Sequence, residues 1–215
     1  MKINSPHPEL LGCLLALLPA LAGCTPSTFE WKEEILLHDG RKIIAQRADV
    51  EGGWAEPGQS GSAQKRTITF PDPDIPSKQY THQITGSTNY LLVDFENGVP
   101  WLIVDVGPFS SDTKCPIGSY ETFTQISGVW RSVSYSTLPK RFNKPNMAVE
   151  YTPDMPDPRK RGQMLSAEKI QQLITGMKRL LAGASGTTWR LVEKNDHGRP
   201  IDCDYYRQQA EGRNK

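Results

Sequence analysis

The side chains that could do chemistry in this chain are its histidines, cysteines and closely spaced carboxylates. His38 and His197 stand beside Asp39 and Asp196, where an imidazole and a carboxylate together could move a proton or hold a metal. Both pairs, in "LLHDGR" and "KNDHGR", have turn composition, and polar residues belong in turns whatever their chemistry. His82 has no neighbouring acid. A metal site from His197, Asp202 and Asp204 is conceivable, but no ligand pair has a zinc-type spacing such as H-E-x-x-H, so neither a metal nor a cofactor is expected. Gly58 to Ser62, "GQSGS", approaches G-x-S-x-G. Ser62 takes the place of the final glycine, however, and the context is a glycine-rich loop, not a strand-to-helix elbow. Paired acids in "FPDPDIP", "MPDPRKR" and "PIDCDYY" could do acid–base work if their surroundings separated their pKa values. They lie in proline-broken loops or an exposed-looking strand, and no catalytic residue is assigned.

The cysteines say more. From Leu10 to Ala22 the chain is almost wholly apolar, too short for the ~20 residues a spanning helix needs, and it reads as a secretory leader. Leu21-Ala22-Gly23-Cys24 resembles the lipobox of bacterial lipoproteins, which implies removal of residues 1–23 and a diacylglyceryl group on Cys24. Three readings compete: signal peptidase cleavage after Ala22, lipidation of Cys13, or a buried N-terminal helix, which Pro19 would interrupt. Thr25, where an inner-membrane retention aspartate would stand, implies the periplasmic side of the outer membrane. Each buried methylene contributes about 0.8 kcal/mol, and two acyl chains are enough for stable anchoring. Residues 24–28 would form a tether whose four residues after the cysteine reach at most about 14 Å. In an oxidising periplasm the two remaining cysteines, Cys115 and Cys203, are expected to pair as a disulfide; two separate buried thiols are the alternative.

The net charge of +1 argues against nucleic acid as the main partner. Arg159 to Arg161, with Lys140 and Arg141, could meet the phosphates of anionic lipid, although a solvated loop explains them as well. The 37% hydrophobic content with 18 Gly and 17 Pro describes a globular, loop-rich chain, here one domain over residues 29–215.

Positioning elements follow from periodicity. Ile35 to Leu37 and Ile43 to Ala45 flank His38-Asp39-Gly40, a hairpin pattern. "RTITF" and "QYTHQIT" flank a proline-rich breaker. "NYLLVDFENGVPWLIVDV" folds back at Asn97-Gly98, and "YETFTQISGVWRSVSYS" at Ser127-Gly128. A final hairpin, "WRLVEKNDHGRPIDCDYY", turns at Asn195 to Gly198. One helix is predicted near 167–182, capped by Ser166, with Ile170, Leu173, Ile174, Met177, Leu180 and Leu181 as its apolar stripe. These elements imply a mainly β fold: antiparallel hairpins forming a sandwich or partly open barrel, with the amphipathic helix packed on it.

"FEWKEEILLHDGRKI", "NYLLVDFENGVPWLIV", "KCPIG" and "WRSVSYSTLP" ahead of "NMAVEY" occur in an order that resembles a family of uncharacterised proteobacterial lipoproteins, over roughly residues 29–151. That likeness implies an envelope location and a shared β fold. It carries no activity. "SGSA" at Ser60 to Ala63 resembles a loop of periplasmic lysozyme inhibitors. The expected role is a membrane-anchored, non-enzymatic module that binds an envelope protein or supports the envelope. An inhibitor or immunity-type protein and an envelope hydrolase are the alternatives.

Overall fold

The computed structural model of the protein describes residues 27–52, 62–86, 88–106, 115, 119–148, 164–175 and 202–212. Its first four strands, β1 (Ser27–Leu36), β2 (Lys42–Gly52), β3 (Ser62–Pro71) and β4 (Gln79–Thr85), form an antiparallel meander. Four more, β5 (Asn89–Glu96), β6 (Val99–Asp105), β7 (Tyr120–Ile126) and β8 (Val129–Val133), form a second. A two-residue strand, β9 (Met164–Leu165), joins the free side of β1 in parallel, so the first sheet runs β4-β3-β2-β1-β9 and the second β5-β6-β7-β8. Helix α1 covers residues 167–175, and α2 is Cys203–Gly212. The expected mainly β architecture with a covering helix is the one observed.

Turn chemistry fixes the strand register. Asn97 and Gly98 have φ of 51° and 73°, Ser127 and Gly128 of 52° and 78°. Two successive left-handed residues make the tight turn whose twist matches a hairpin, and Glu96 therefore faces Val99 and Ile126 faces Val129. Register decides which side chains meet. On β1, Trp31, Glu33 and Ile35 point inward; on β2, Ile43, Ala45, Arg47 and Asp49; on β4, Tyr80, His82 and Ile84. Ile35, Ile43, Ile68, Phe70 and Tyr80 from one sheet meet Val93, Phe95, Leu102 and Val104 from the other in the main core. Strand β5 is buried on both faces because Tyr135 and Phe142 cover its outer side, packing on Leu91, Leu92 and Ile103. This explains why Tyr90 to Val93 read as a continuous apolar run and not as an alternation.

Helix α1 closes a third cluster: Ile170, Leu173 and Ile174 pack on Trp31, Ala148 and Leu165. Ser166 caps it through a bond from the Lys169 amide to its Oγ (3.3 Å), and Glu34 Oε2 accepts from the Ala167 amide at 3.1 Å. The remaining stripe residues Met177, Leu180 and Leu181 lie outside the described residues, as does Cys24. The expected C-terminal hairpin is corrected. Trp189 to Ile201 are outside the described residues, but from Cys203 onward the chain is helical, so the hairpin's second arm is not a strand. Asp202 is the physical reason: its Oδ1 accepts from the Asp204 amide at 3.0 Å, a helix-starting contact. The run that follows, Arg207, Gln208, Gln209, Ala210 and Glu211, consists of good helix formers.

The two sheets are joined at both flanks. On one, Trp130 Nε1 donates across to the Thr81 carbonyl at 2.7 Å. On the other, the Asn146 carboxamide behaves like a peptide unit of a missing strand: Oδ1 accepts from Val93 N–H (3.0 Å) and Nδ2 donates to Val93 O (2.7 Å). The same Nδ2 also donates to Leu36 O of the opposite sheet at 3.2 Å. Asn146 is buried, and truncating it strands the Val93 amide away from water. Asn146→Ala is expected to destabilise the protein by about 2–4 kcal/mol, chiefly through the buried Val93 donor left unsatisfied and the bonds lost with it. Urea unfolding checks this; a change under about 0.5 kcal/mol would contradict it.

Candidate functional site

The four hairpin turns among the described residues, β1–β2, β3–β4, β5–β6 and β7–β8, lie at one end of the sandwich. Within each sheet the antiparallel order places the two turns on the same side. Between sheets, Phe95 near one turn packs on Phe70 and Tyr80 near another, with ring centroids 5.9 and 5.7 Å apart. Trp130 joins the same group, 6.4 Å from both rings. The end so formed carries Ile75, Val99, Ile126 and Val129, each between 37% and 53% exposed. These are large apolar side chains at turn positions, where folding by itself asks for polar ones.

Charges around them are paired within the end itself. Arg41 binds Asp39 (2.7 Å) and Asp74 (2.5 Å), and Arg141 pairs with Glu96 while donating to the Phe95 carbonyl at 2.8 Å. The Arg41 contact holds the Asp39 carboxyl below its usual range. Arg141 is therefore a partner of this surface; Arg159 to Arg161 lie outside the described residues.

The same end holds a histidine–carboxylate pair. His38 Nδ1 lies 2.5 Å from Asp94 Oδ2, and the His38 backbone N–H donates to that oxygen at 2.9 Å. Asp94 Oδ1 accepts from Phe95 N–H at 2.8 Å, and the Phe142 ring packs 5.4 Å from the imidazole. A carboxylate only accepts, so Nδ1 carries a proton and donates it to Asp94, which leaves Nε2 as the ring atom not engaged by this pair. Asp94 is 2% and His38 16% exposed on the side chain. This is half of a proton relay: an oriented imidazole, with no hydroxyl or thiol bonded to it among the described residues. Sequence neighbourhood suggests Asp39 as the partner, but Asp39 belongs to Arg41 and the true partner is 56 residues away. The available signal is a lone acid inside the apolar run "YLLVDFE".

The other candidates fall elsewhere. His82 is buried against Phe123, Trp130 and Tyr90, at 4.5, 5.1 and 5.9 Å between ring centroids. His197 lies outside the described residues. Asp202 accepts from Ser134 Oγ (2.6 Å) and Tyr135 N–H (3.1 Å), a structural use. Asp72 organises the β3–β4 turn by accepting from the Asp74 and Ile75 amides and from Tyr80 Oη. Among the described residues no three His, Cys, Asp or Glu side chains are grouped to hold a metal. Cys115 and Cys203 are joined in a disulfide with Cα atoms 5.2 Å apart.

A buried ionic row escapes sequence reasoning. Glu33, 0% exposed, accepts from Trp31 Nε1 (2.7 Å) and Arg47 Nη1 (3.0 Å), and the Arg47 guanidinium stacks over Trp31 and Tyr90. Asp49 faces Arg66 at 3.5 Å. Two cations and two anions thus sit on the inward face where the main core meets the α1 cluster. A charge that far from water persists only when paired, and the row has the character of a structural joint. Its signal is the presence of charged residues at inward positions of two alternating strands.

No protein-family model, no curated protein and no solved structure matches the chain.

Burial pushes the His82 imidazole down to about 4, against about 6.5 when unfolded. Between these values the unfolded chain binds the proton and the folded chain does not. Stability therefore falls as pH drops through that window, by about 3 kcal/mol in full, and is unaffected by this group above it. Comparing wild type with His82→Gln by urea unfolding at pH 7 and pH 4 checks this. The difference between the two proteins should shift in the variant's favour at pH 4; a pH-independent difference would contradict it.

Proposed function

We propose that the chain is a lipid-anchored protein of the bacterial envelope, tethered through Cys24 on the periplasmic side of the outer membrane, and that its sandwich is a non-enzymatic binding module that uses the turn end. One observation carries the reading. Strand β1 begins at Ser27, three residues after Cys24, at the end of the sandwich opposite the four turns. A lipid on Cys24 would hold that end against the headgroups, and the exposed Ile75, Val99, Ile126 and Val129 would face away from the bilayer. Apolar side chains framed by ion pairs suit a protein surface with its own apolar patch, because most of the surrounding charge already has a partner and adds little to the cost of desolvation. Among the described residues no helix is long and apolar enough to cross a membrane. We place the chain, on the order of its segments, beside the uncharacterised proteobacterial lipoproteins it resembles.

A second reading, an envelope hydrolase, is favoured by the His38–Asp94 pair. It requires turnover of an envelope ester or glycan by the full chain that His38→Ala abolishes, and absence of turnover removes it.

Photo-crosslinking in intact cells tests the preferred reading, with a benzophenone side chain placed singly at Ile75, Val129 or Gln83, the last on the exposed outer face of the first sheet. Adducts several-fold stronger from the two turn positions are expected, with labelled palmitate incorporated into the chain and lost in Cys24→Ser. Adducts from Gln83 alone, or an unlabelled wild-type chain, would contradict the proposal.

A further inference from the structure

We infer that the Cys115–Cys203 disulfide is a redox latch for the C-terminal helix: its reduction frees α2 from the sandwich and leaves both sheets folded. The three apolar clusters among the described residues draw every side chain from residues 31–174, so the cohesion of the sheets does not run through α2. The helix spans ten residues, "CDYYRQQAEG". That is shorter than the ~12–15 residues below which an isolated helix is marginal in water.

The contacts described for α2 are chiefly covalent and polar, with Tyr206 and Ala210 half-buried beside them. Its first residue, Cys203, is fully buried and carries the bridge. Asp202 binds Ser134 and Tyr135 just before it. Arg207, one turn on, pairs with Glu121 at 2.6 Å and donates to Ser132 Oγ at 3.1 Å. These last contacts are partly exposed, with side-chain exposure of 30% for Arg207 and 11% for Glu121, and such pairs are individually weak and screened by salt. The bridge spans a sequence separation of 88 residues and makes the polar contacts intramolecular over a short reach. Cutting it removes that effective concentration.

The step balances with a dithiol reductant. A reductant thiolate attacks Cys115 Sγ, on the half-buried partner; the S–S bond breaks and Cys203 leaves as a thiolate that takes up a proton. The second reductant thiol resolves the mixed disulfide, so the protein gains two electrons and two protons while the reductant becomes a disulfide. Release of α2 uncovers Glu121, Ser132 and the Ser134 hydroxyl at the end of the sandwich opposite the turns. The inference is independent of the lipid at Cys24.

Hydrogen–deuterium exchange on the full chain, without denaturant, tests it before and after an excess of dithiothreitol, with peptide-resolved alkylation verifying free thiols at Cys115 and Cys203. Peptides covering 204–212 are expected to lose protection at least tenfold while those of β5 and β6 stay unchanged, and Cys115→Ser should reproduce this without reductant. Unchanged protection of α2 in the reduced chain would overturn the inference. So would a loss shared by the whole sandwich, which would make the bridge a global staple, or alkylation of both cysteines before any reductant is added.

Discussion

The organisation of this protein depends on a joint between the end of β1 and the middle of β5. Asn146 links Leu36 O to both backbone groups of Val93, and one residue further along β5 Asp94 holds the backbone and ring of His38. The two contacts are adjacent on β5 and reach residues 36 and 38 of the first sheet. Each serves backbone groups that would otherwise be edge donors or acceptors away from water. With Trp130 tying β8 to β4 on the far flank, the joint keeps the two sheets from sliding, and the four turns therefore share one end.

Much of this is legible from local chemistry. Asn97-Gly98, Ser127-Gly128 and His38-Asp39-Gly40 mark turns, since each places a glycine at positive φ, and the alternation in β1, β2 and β4 sets their inward faces. Ser166 and its apolar stripe mark the start of α1. What escapes is long-range. Nothing local tells Asn146 to act as a strand surrogate, or pairs His38 with Asp94 across 56 residues, or matches Glu33 on one strand with Arg47 on the next. The C-terminal segment misleads because "PIDCDYY" alternates like a strand, whereas the capping contact of Asp202 and the bridge at Cys203 start a helix there.

The two ends of the sandwich are chemically different. One has exposed aliphatic tips among ion pairs. The other has the start of β1 and the strapped α2. In the ionic row of Glu33, Arg47, Asp49 and Arg66, the Glu33–Arg47 pair meets the α1 cluster through Trp31 and Ala148, and each charge has an opposite one beside it. With the proposed lipid on Cys24, the body would be fastened at one end and present apolar side chains at the other, an arrangement suited to reaching a partner across a gap.

The proposed attachment and the proposed contact thus sit at opposite ends of the sandwich. Ten residues of β1 at about 3.3 Å each span about 30 Å, which sets the distance between the tether end and the turn end. The most direct measurement is the height above the bilayer of a fluorophore at Gly128, in lipidated full-length protein on vesicles, read by energy transfer to headgroup acceptors. A label about 30 Å or more above the headgroups is the predicted result. A label at headgroup level, no farther away than one placed at Ser27, would contradict the account.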